Sequence, residues 1–390
     1  MIRTYKYRIY PNKEQIIKLL FTVELNRQLY NIALEQRIMI YRQSRKSIYC
    51  YDQINQLPEL KESFPEYKEI HSQAQQDALR RLDRAFKDFF GRIKKGQKAG
   101  FPHFKGKDFY HSFCYPQGGF SIKGNKLLLS KIGNIKIKLH REIKGKIKTC
   151  SIIRDLDKWY VCFSVEINNQ IKQKSIKSAI GVDLGLTSFA TLSNGEKIDN
   201  PRYLKQSENK LAKQQRWLSR KVKGSNNRNK QKQKVAKIHL KIRNQRQDFQ
   251  HKLSRKLVNK YDLIAYEDLN IKGMVRNKHF SKSIGDVSWN GFCNMLKYKA
   301  EERGSWAIPV SPRHTSQMCS NCGEIVQKLL WVRRHKCKCG LEIDRDENAS
   351  LNILKLGIKQ YRRNYGNLRL GREANKLLIE PRNLFPARRR

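Results

Sequence analysis

The sequence predicts a mixed α/β and α+β chain of more than one domain, and three observations carry that prediction. Helical patterns run over residues 16–23, 30–42 and 72–93. Short alternating segments separated by Gly, Lys and Asn follow from about residue 100. Two apolar strand-like runs then hold acids at Asp183 and Glu267 and bracket a long basic helical stretch. At 390 residues the chain is long enough for two or three hydrophobic cores.

Lys and Arg outnumber Asp and Glu 82 to 34, a formal net charge of +48. Such an excess repels itself unless a polyanion neutralises it, which points to nucleic acid as the partner. A membrane partner is disfavoured, because no apolar run approaches the length of a spanning helix and the cations are spread along the chain. Of nine cysteines, Cys50, Cys114, Cys150, Cys162 and Cys293 are scattered, an odd remainder that argues against a disulfide framework. A reducing cytoplasm is expected. The first ten residues lack the apolar region of a signal peptide.

Taken in order, Tyr5, Tyr7 and Ile9 alternate with Lys6 and Arg8, the period of a half-buried strand with one basic face. Pro11-Asn12 ends it, and Asn12 with Gln15 forms a capping-box pattern ahead of Ile16, Leu19, Leu20 and Val23 at helical spacing. Helical patterns continue through Tyr30–Arg42 and again over Ser72–Ile93, where Ala74, Ala78, Leu79, Leu82, Ala85, Phe86 and Phe89 mark a buried face. From Gly100 the pattern changes to short strands such as 126–129, 135–139, 147–153 and 159–167, predicting a small antiparallel sheet or barrel. Phe104, Lys105 and Lys107, with Phe109 and Tyr115 nearby, interleave stacking surfaces with phosphate-binding cations, although each aromatic taken singly also fits a strand edge.

Residues 168–177 read as a polar linker. The run from Ser178 then reads as strand, tight turn and second strand, with Asp183 inside the apolar segment and Gly181 and Gly185 permitting close approach of a backbone or ligand. Between Pro201 and Lys260 stand twenty Lys or Arg against two acids, Glu208 and Asp248. The stripe Val235, Ile238, Ile242, Phe249, Leu253 and Leu257 predicts two long helices broken near Gly224, and the one-sided charge, including Arg220, Lys221 and Lys223 at the break, predicts a nucleic-acid face. A strand ending in Glu267, a helix over 289–300 and a strand at 306–310 follow. Beyond Leu356 the chain reads as a basic, disordered tail.

Cys319-x2-Cys322-Gly and Cys337-x-Cys339-Gly are spaced as ligands of one structural Zn²⁺, with the glycines relieving the turns. A C-x-C pair cannot form the same knuckle as C-x2-C, which leaves His335 as an alternative ligand. Three acids stand out beside this motif: Asp183, Glu267, and one of Asp344 and Asp346. An Asp346 that only caps the following helix, and an Asp344 that is a plain surface acid, are the structural alternatives. Their order, strand with Asp, hairpin strands, strand with Glu, late Asp opening a helix, is that of RNase H-like folds. Carboxylates so gathered suit two Mg²⁺ ions that hydrolyse a phosphodiester.

Across nearly its whole length the chain resembles the TnpB family of transposon-encoded RNA-guided DNA endonucleases, relatives of the type V CRISPR effectors. The resemblance rests on Tyr5-Lys-Tyr-Arg-Ile-Tyr-Pro-Asn-Lys-Glu-Gln, Gly100-Phe-Pro-His-Phe-Lys, Ile180-Gly-Val-Asp-Leu-Gly, Tyr266-Glu-Asp-Leu-Asn, Thr315-Ser-Gln-Met-Cys-Ser-Asn-Cys-Gly and Asp344-Arg-Asp-Glu-Asn-Ala-Ser. It implies a wedge β-barrel (residues 1–12 and 100–175) interrupted by a helical recognition lobe (13–99). It implies, too, a RuvC nuclease domain (176–316 and 343–358) with a zinc-ribbon insertion (317–342), then the tail (359–390). It carries Asp183, Glu267 and Asp346 over as the catalytic acids. The implied partners are a guide RNA from the transposon end and double-stranded target DNA beside a short adjacent motif, in a monomeric ribonucleoprotein. A nuclease-dead RNA-guided repressor and a strand-transferring transposase are the competing classes.

Overall fold

The structure, a computed structural model, describes residues 2–167, 173–277, 281–329 and 331–365. The chain folds as two compact units that divide after residue 169.

In the first unit, β1 (Ile2–Tyr10) leads into α1 (Lys13–Ser44) through the expected capping box: Gln15 N donates to Asn12 Oδ1 at 2.8 Å and Asn12 N donates to Gln15 Oε1 at 3.0 Å. What reads in the sequence as separate helical stretches over 16–42 is this one helix. Short helices α2 (Cys50–Asn55) and α3 (Leu57–Ser63), which no periodicity announced, precede α4 (Ser72–Lys94). Six strands follow: β2 (Ser112–Tyr115), β3 (Phe120–Lys123), β4 (Lys126–Leu129), β5 (Gly133–Lys138), β6 (Lys146–Asp155) and β7 (Lys158–Glu166). With β1 they form an antiparallel sheet in the order β2-β6-β7-β1-β5-β4-β3. The barrel expected from the sequence is an open sheet by its pairing among the described residues. The Tyr115 hydroxyl, at the close of the edge strand β2, donates to the Ser130 carbonyl just after β4 at 3.0 Å. Alternation along β1 turns Tyr5, Tyr7 and Ile9 inward, where they join Leu19, Leu82, Phe113 and Phe163 in one core, and leaves Lys6 exposed.

The second unit opens with β8 (Ala179–Leu184), β9 (Ser188–Leu192) and β10 (Lys197–Asp199). The basic stretch then forms α5 (Tyr203–Ser219) and α6 (Asn226–Lys260), broken at Gly224 as its sequence predicts. After them come β11 (Leu263–Glu267), the short α7 (Ile271–Met274) and α8 (Ser281–Val287), α9 (Trp289–Arg303) and β12 (Trp306–Val310). A two-stranded ladder, β13 (Arg334–Lys336) and β14 (Glu342–Asp344), leads into α10 (Arg345–Tyr365). The sheet order is β10-β9-β8-β11-β12, antiparallel through β8 and parallel from β8 to β12.

Strand alternation sorts the side chains between two layers. Ile180, Val182, Ile264 and Tyr266 pack against Leu253, Leu257, Phe292 and Leu296 of α6 and α9, while Leu263, Ala265, Ile308 and Val310 pack against Ile353, Leu354, Ile358 and Tyr361 of α10. Helix α10 reaches the sheet closely because two glycines face the contact. A Cβ on Gly181 would meet the Ser350 carbonyl oxygen at 2.0 Å, and one on Gly357 would meet the Ala265 Cβ at 2.3 Å. This helix also corrects the expectation of a disordered tail from residue 359. Residues 359–365 are helical, with Tyr361 buried against Trp306 at a ring separation of 5.0 Å. The stripe Leu354, Ile358, Tyr361 is interrupted by enough Lys and Arg to hide its period. The rest of that expected tail, and the start of the expected linker, lie outside the described residues.

Candidate active site and metal centre

Period-two alternation decides which way the acids point. Asp183 shares the α10-facing side of β8 with Ala179 and Gly181, and Glu267 shares that side of β11 with Leu263 and Ala265. The strands are parallel and pair Gly181 with Ala265 and Val182 with Tyr266, so Asp183 and Glu267 fall side by side at the carboxyl ends of neighbouring strands. The third acid comes from α10, whose Ser350 and Leu354 lie over Gly181, so its first turn reaches the same strand end. Asp183, Glu267 and Asp346 line one cavity of about 530 Å³, together with Thr315, Arg333 and Arg345.

Asp344 and Asp346 are told apart by their hydrogen bonds. Asp344 Oδ1 accepts from the backbone N–H groups of Asp346 at 2.9 Å and Glu347 at 3.3 Å, and its Oδ2 takes the Lys197 ammonium at 2.7 Å. Burial pushes the Asp344 carboxyl up, but the bonds from Lys197 and the two backbone amides hold it below the usual range. Asp344 is therefore the helix cap, and the capping reading considered for Asp346 belongs to its neighbour. Asp346 is left facing the cavity, with Arg333 Nη1 at 3.8 Å from its Oδ2.

Asp183 and Glu267 are held in an environment that resists their charge. Burial pushes the Asp183 carboxyl well above the usual range, the charges of Glu267 and Asp346 push it further, and Arg345 opposes them. Burial raises Glu267 as well, against a hydrogen bond from the Thr315 hydroxyl at 2.5 Å. The three carboxylates that line this cavity offer oxygen atoms, the ligand type that hard cations take.

The four cysteines also come together. Sγ of Cys319 lies 3.6 Å from that of Cys339, Sγ of Cys322 lies 3.5 Å from that of Cys337, and all four fall within 4.8 Å of one another. Thiolates around a tetrahedral Zn²⁺ at about 2.3 Å stand roughly 3.8 Å apart, so the cluster fits zinc. Gly323 and Gly340 take positive φ of 83° and 87° at the two turns, which glycine adopts without strain. The C-x-C pair closes by crossing over, each of its thiols facing one thiol of the first pair. His335 is not in this group; it is buried, with Nδ1 against Lys328 Nζ. That removes it as the substitute ligand the sequence left open.

The remaining residues singled out from the sequence are not among those that line the cavity. On β1, Lys6 and Arg8 both stand over the Tyr160 ring, at 4.2 and 5.4 Å. Phe104 and Lys107 are exposed, while the Lys105 backbone is pinned to α1, its carbonyl accepting from Arg27 Nη1 at 2.8 Å and Asn31 Nδ2 at 3.0 Å. Arg220, Lys221 and Lys223 are exposed in the turn between α5 and α6. Sequence reasoning passed over Thr315, Arg333 and Arg345, whose place in the cavity depends on contacts that no local pattern signals.

Comparison with known proteins follows the same lines. Residues 162–278 match the OrfB_IS605 family, described as "Probable transposase", residues 289–353 match the Cas12f1-like TNB domain, and residues 1–46 match the OrfB_IS605 helix-turn-helix domain. A Streptomyces pristinaespiralis protein named "Putative RNA-guided DNA endonuclease" is 34% identical, covering 91% of this chain and 89% of its own length. The Escherichia coli K12 protein "Putative RNA-guided DNA endonuclease InsQ" is 30% identical, covering 91% and 92%. Among solved structures, the Cas12f1 protein of a complex with sgRNA and target DNA shares the fold at a TM-score of 0.54 and 14% identity, covering 87% of this chain and 82% of its own. With two relatives at this identity over almost their full lengths, the chain belongs to the TnpB (IS605 OrfB) family.

Proposed function

We propose that this chain is a transposon-encoded, RNA-guided DNA endonuclease that cleaves double-stranded target DNA beside a short adjacent motif, with Asp183, Glu267 and Asp346 as its catalytic acids. The observation that carries the reading is the convergence of these three carboxylates, from β8, β11 and α10, on one cavity in a chain of net charge +48. The relatives named as RNA-guided DNA endonucleases supply the context. The sheet order, antiparallel then parallel and followed by a helix bearing the last acid, supports an RNase H-like RuvC domain. In the same reading, residues 1–12 and 100–175 act as the wedge, 13–99 as the recognition lobe and 317–342 as the zinc ribbon.

Asp183, Glu267 and Asp346 would hold two Mg²⁺ ions, which when bound activate a water and stabilise the leaving oxygen of the scissile phosphodiester. The protein's own part is to present oxygen ligands in a desolvated pocket. Arg333 and Arg345 at its wall add positive charge where a phosphate would approach. Guide pairing reads the target sequence, and the basic surface holds both nucleic acids by their backbones in a monomeric ribonucleoprotein. The presence of all three acids weighs against a nuclease-dead repressor.

The test is to express the chain with its flanking transposon end, sequence the RNA that co-purifies, and assay Mg²⁺-dependent cleavage of a matching duplex. A discrete RNA running past the element's end and guiding cleavage is expected. Cleavage or strand transfer that needs no RNA would turn the reading toward a transposase.

A further inference from the structure

We propose that Thr315 is a positioning residue that orients Glu267 and ties it to the helix carrying Asp346, through the segment that leads into the zinc turn. This rests on the functional reading above. Thr315 and Glu267 are both nearly closed to solvent, at 3% and 8% exposure, and Thr315 Oγ1 lies 2.5 Å from Glu267 Oε1. The hydroxyl has one proton and a second acceptor within reach, the Pro312 carbonyl at 3.2 Å. With Glu267 ionised, as a ligand to a cation is, the closer carboxylate oxygen takes the proton, because an ionised carboxylate only accepts and forms the stronger bond. One Glu267 oxygen is thereby held by the hydroxyl, and rotation of the carboxylate is restricted.

Thr315 is itself held from the other side. Asn352 of α10 donates through Nδ2 to the Thr315 carbonyl at 2.9 Å and to the Met318 carbonyl at 2.6 Å. One turn earlier, Asn348 donates to the Met318 carbonyl at 2.8 Å and accepts from Ser320 N at 2.9 Å. Both asparagines are buried, where an amide of this kind is costly unless bonded. Residues 315–320 are therefore bolted along α10 about one to two turns from its cap, and Asp346 sits in the first turn of the same helix. Glu267 on β11 and Asp346 on α10 share no covalent neighbour; the Thr315 hydroxyl and the two asparagines join them. Partners of this kind, one shell behind a metal ligand, typically contribute about 10- to 100-fold in metal affinity or activity.

The test uses the full-length ribonucleoprotein with Mn²⁺ as the probe, its binding read by electron paramagnetic resonance. The Asp183→Asn complex serves as the blank for ions held by RNA. Thr315→Val, which keeps the shape and removes the hydroxyl, should weaken the Asp183-dependent Mn²⁺ site roughly tenfold or more and raise the Mg²⁺ needed for half-maximal cleavage. Zinc content should be unchanged. Thr315→Ser should restore both to within about threefold of wild type. Wild-type Mn²⁺ affinity in Thr315→Val would overturn the proposal, as would a folded Thr315→Ser as impaired as the valine variant. Should Thr315→Val fail to fold, Thr315→Ala replaces it, and equal behaviour of Thr315→Ala and Thr315→Ser overturns the role of the hydroxyl. A wild-type complex with no Asp183-dependent Mn²⁺ site would refute the functional reading itself, a result distinct from all of these.

Discussion

Gly181 lies so close beneath Ser350 that a Cβ on the glycine would sit 2.0 Å from the serine's carbonyl oxygen. Helix and sheet touch backbone to backbone here, two residues before Asp183 on the strand and four after Asp346 on the helix. No rotamer change can relieve that overlap. Gly181→Ala should cost about 3 kcal/mol or more of stability, measured by denaturant unfolding, and should move Asp346 away from Asp183. An alanine variant as stable as wild type would show that α10 does not seat on this strand.

The raised carboxyl pKa values of Asp183 and Glu267 set the sign of a pH effect. A carboxyl whose folded pKa is raised favours the fold below its ordinary value of about 4, and that contribution is lost as pH rises through the raised value. In Mg²⁺-free buffer, the gap in Tm between Asp183→Asn and wild type should therefore widen in favour of the variant as pH rises above about 4. Mg²⁺ should stabilise wild type and not the variant. The same substitution should abolish cleavage while leaving RNA binding intact, and a gap that stays constant with pH would contradict the buried-charge account.

Zinc should depend on the four cysteines and not on the histidine. Cys319→Ser should lower bound zinc, measured by metal analysis, together with Tm. His335→Gln should keep stoichiometric zinc, since His335 stands outside the thiol cluster. Loss of zinc in the histidine variant would restore the ligand set that the sequence left open.

Nucleic-acid binding should weaken steeply with salt. Replacing Arg220, Lys221 and Lys223 by alanine should reduce the slope of log affinity against log salt by roughly 2 to 3 if all three meet phosphates. Filter binding across a salt series reads this, and an unchanged slope would remove the α5–α6 turn from the interface.

The end of α10 should behave as core. Tyr361→Ala, which empties a buried site against Trp306, should cost about 3 kcal/mol. A negligible loss on denaturant unfolding would return residues 359–365 to the status of a tail.

What the sequence determined alone was local. Capping at Asn12, the alternation in β1, the stripe along α6 and the break at Gly224 all depend on neighbours a few residues apart, where periodicity and turn chemistry act directly. The four cysteines were legible for a related reason: metal-ligand spacing is a short-range constraint. The acids were legible as candidates, because a carboxylate inside or at the end of an apolar run is costly unless something compensates it. The tertiary structure decided which candidates share a site. Asp183 and Glu267 stand together because two parallel strands 84 residues apart in sequence pair in one register. Asp346 rather than Asp344 completes the set because a lysine and two backbone amides occupy Asp344. The course of α10 past residue 358, the exclusion of His335 and the reach of Thr315 to Glu267 depend likewise on packing between distant segments. Contacts of that range leave no period in the chain, so only the folded molecule displays them.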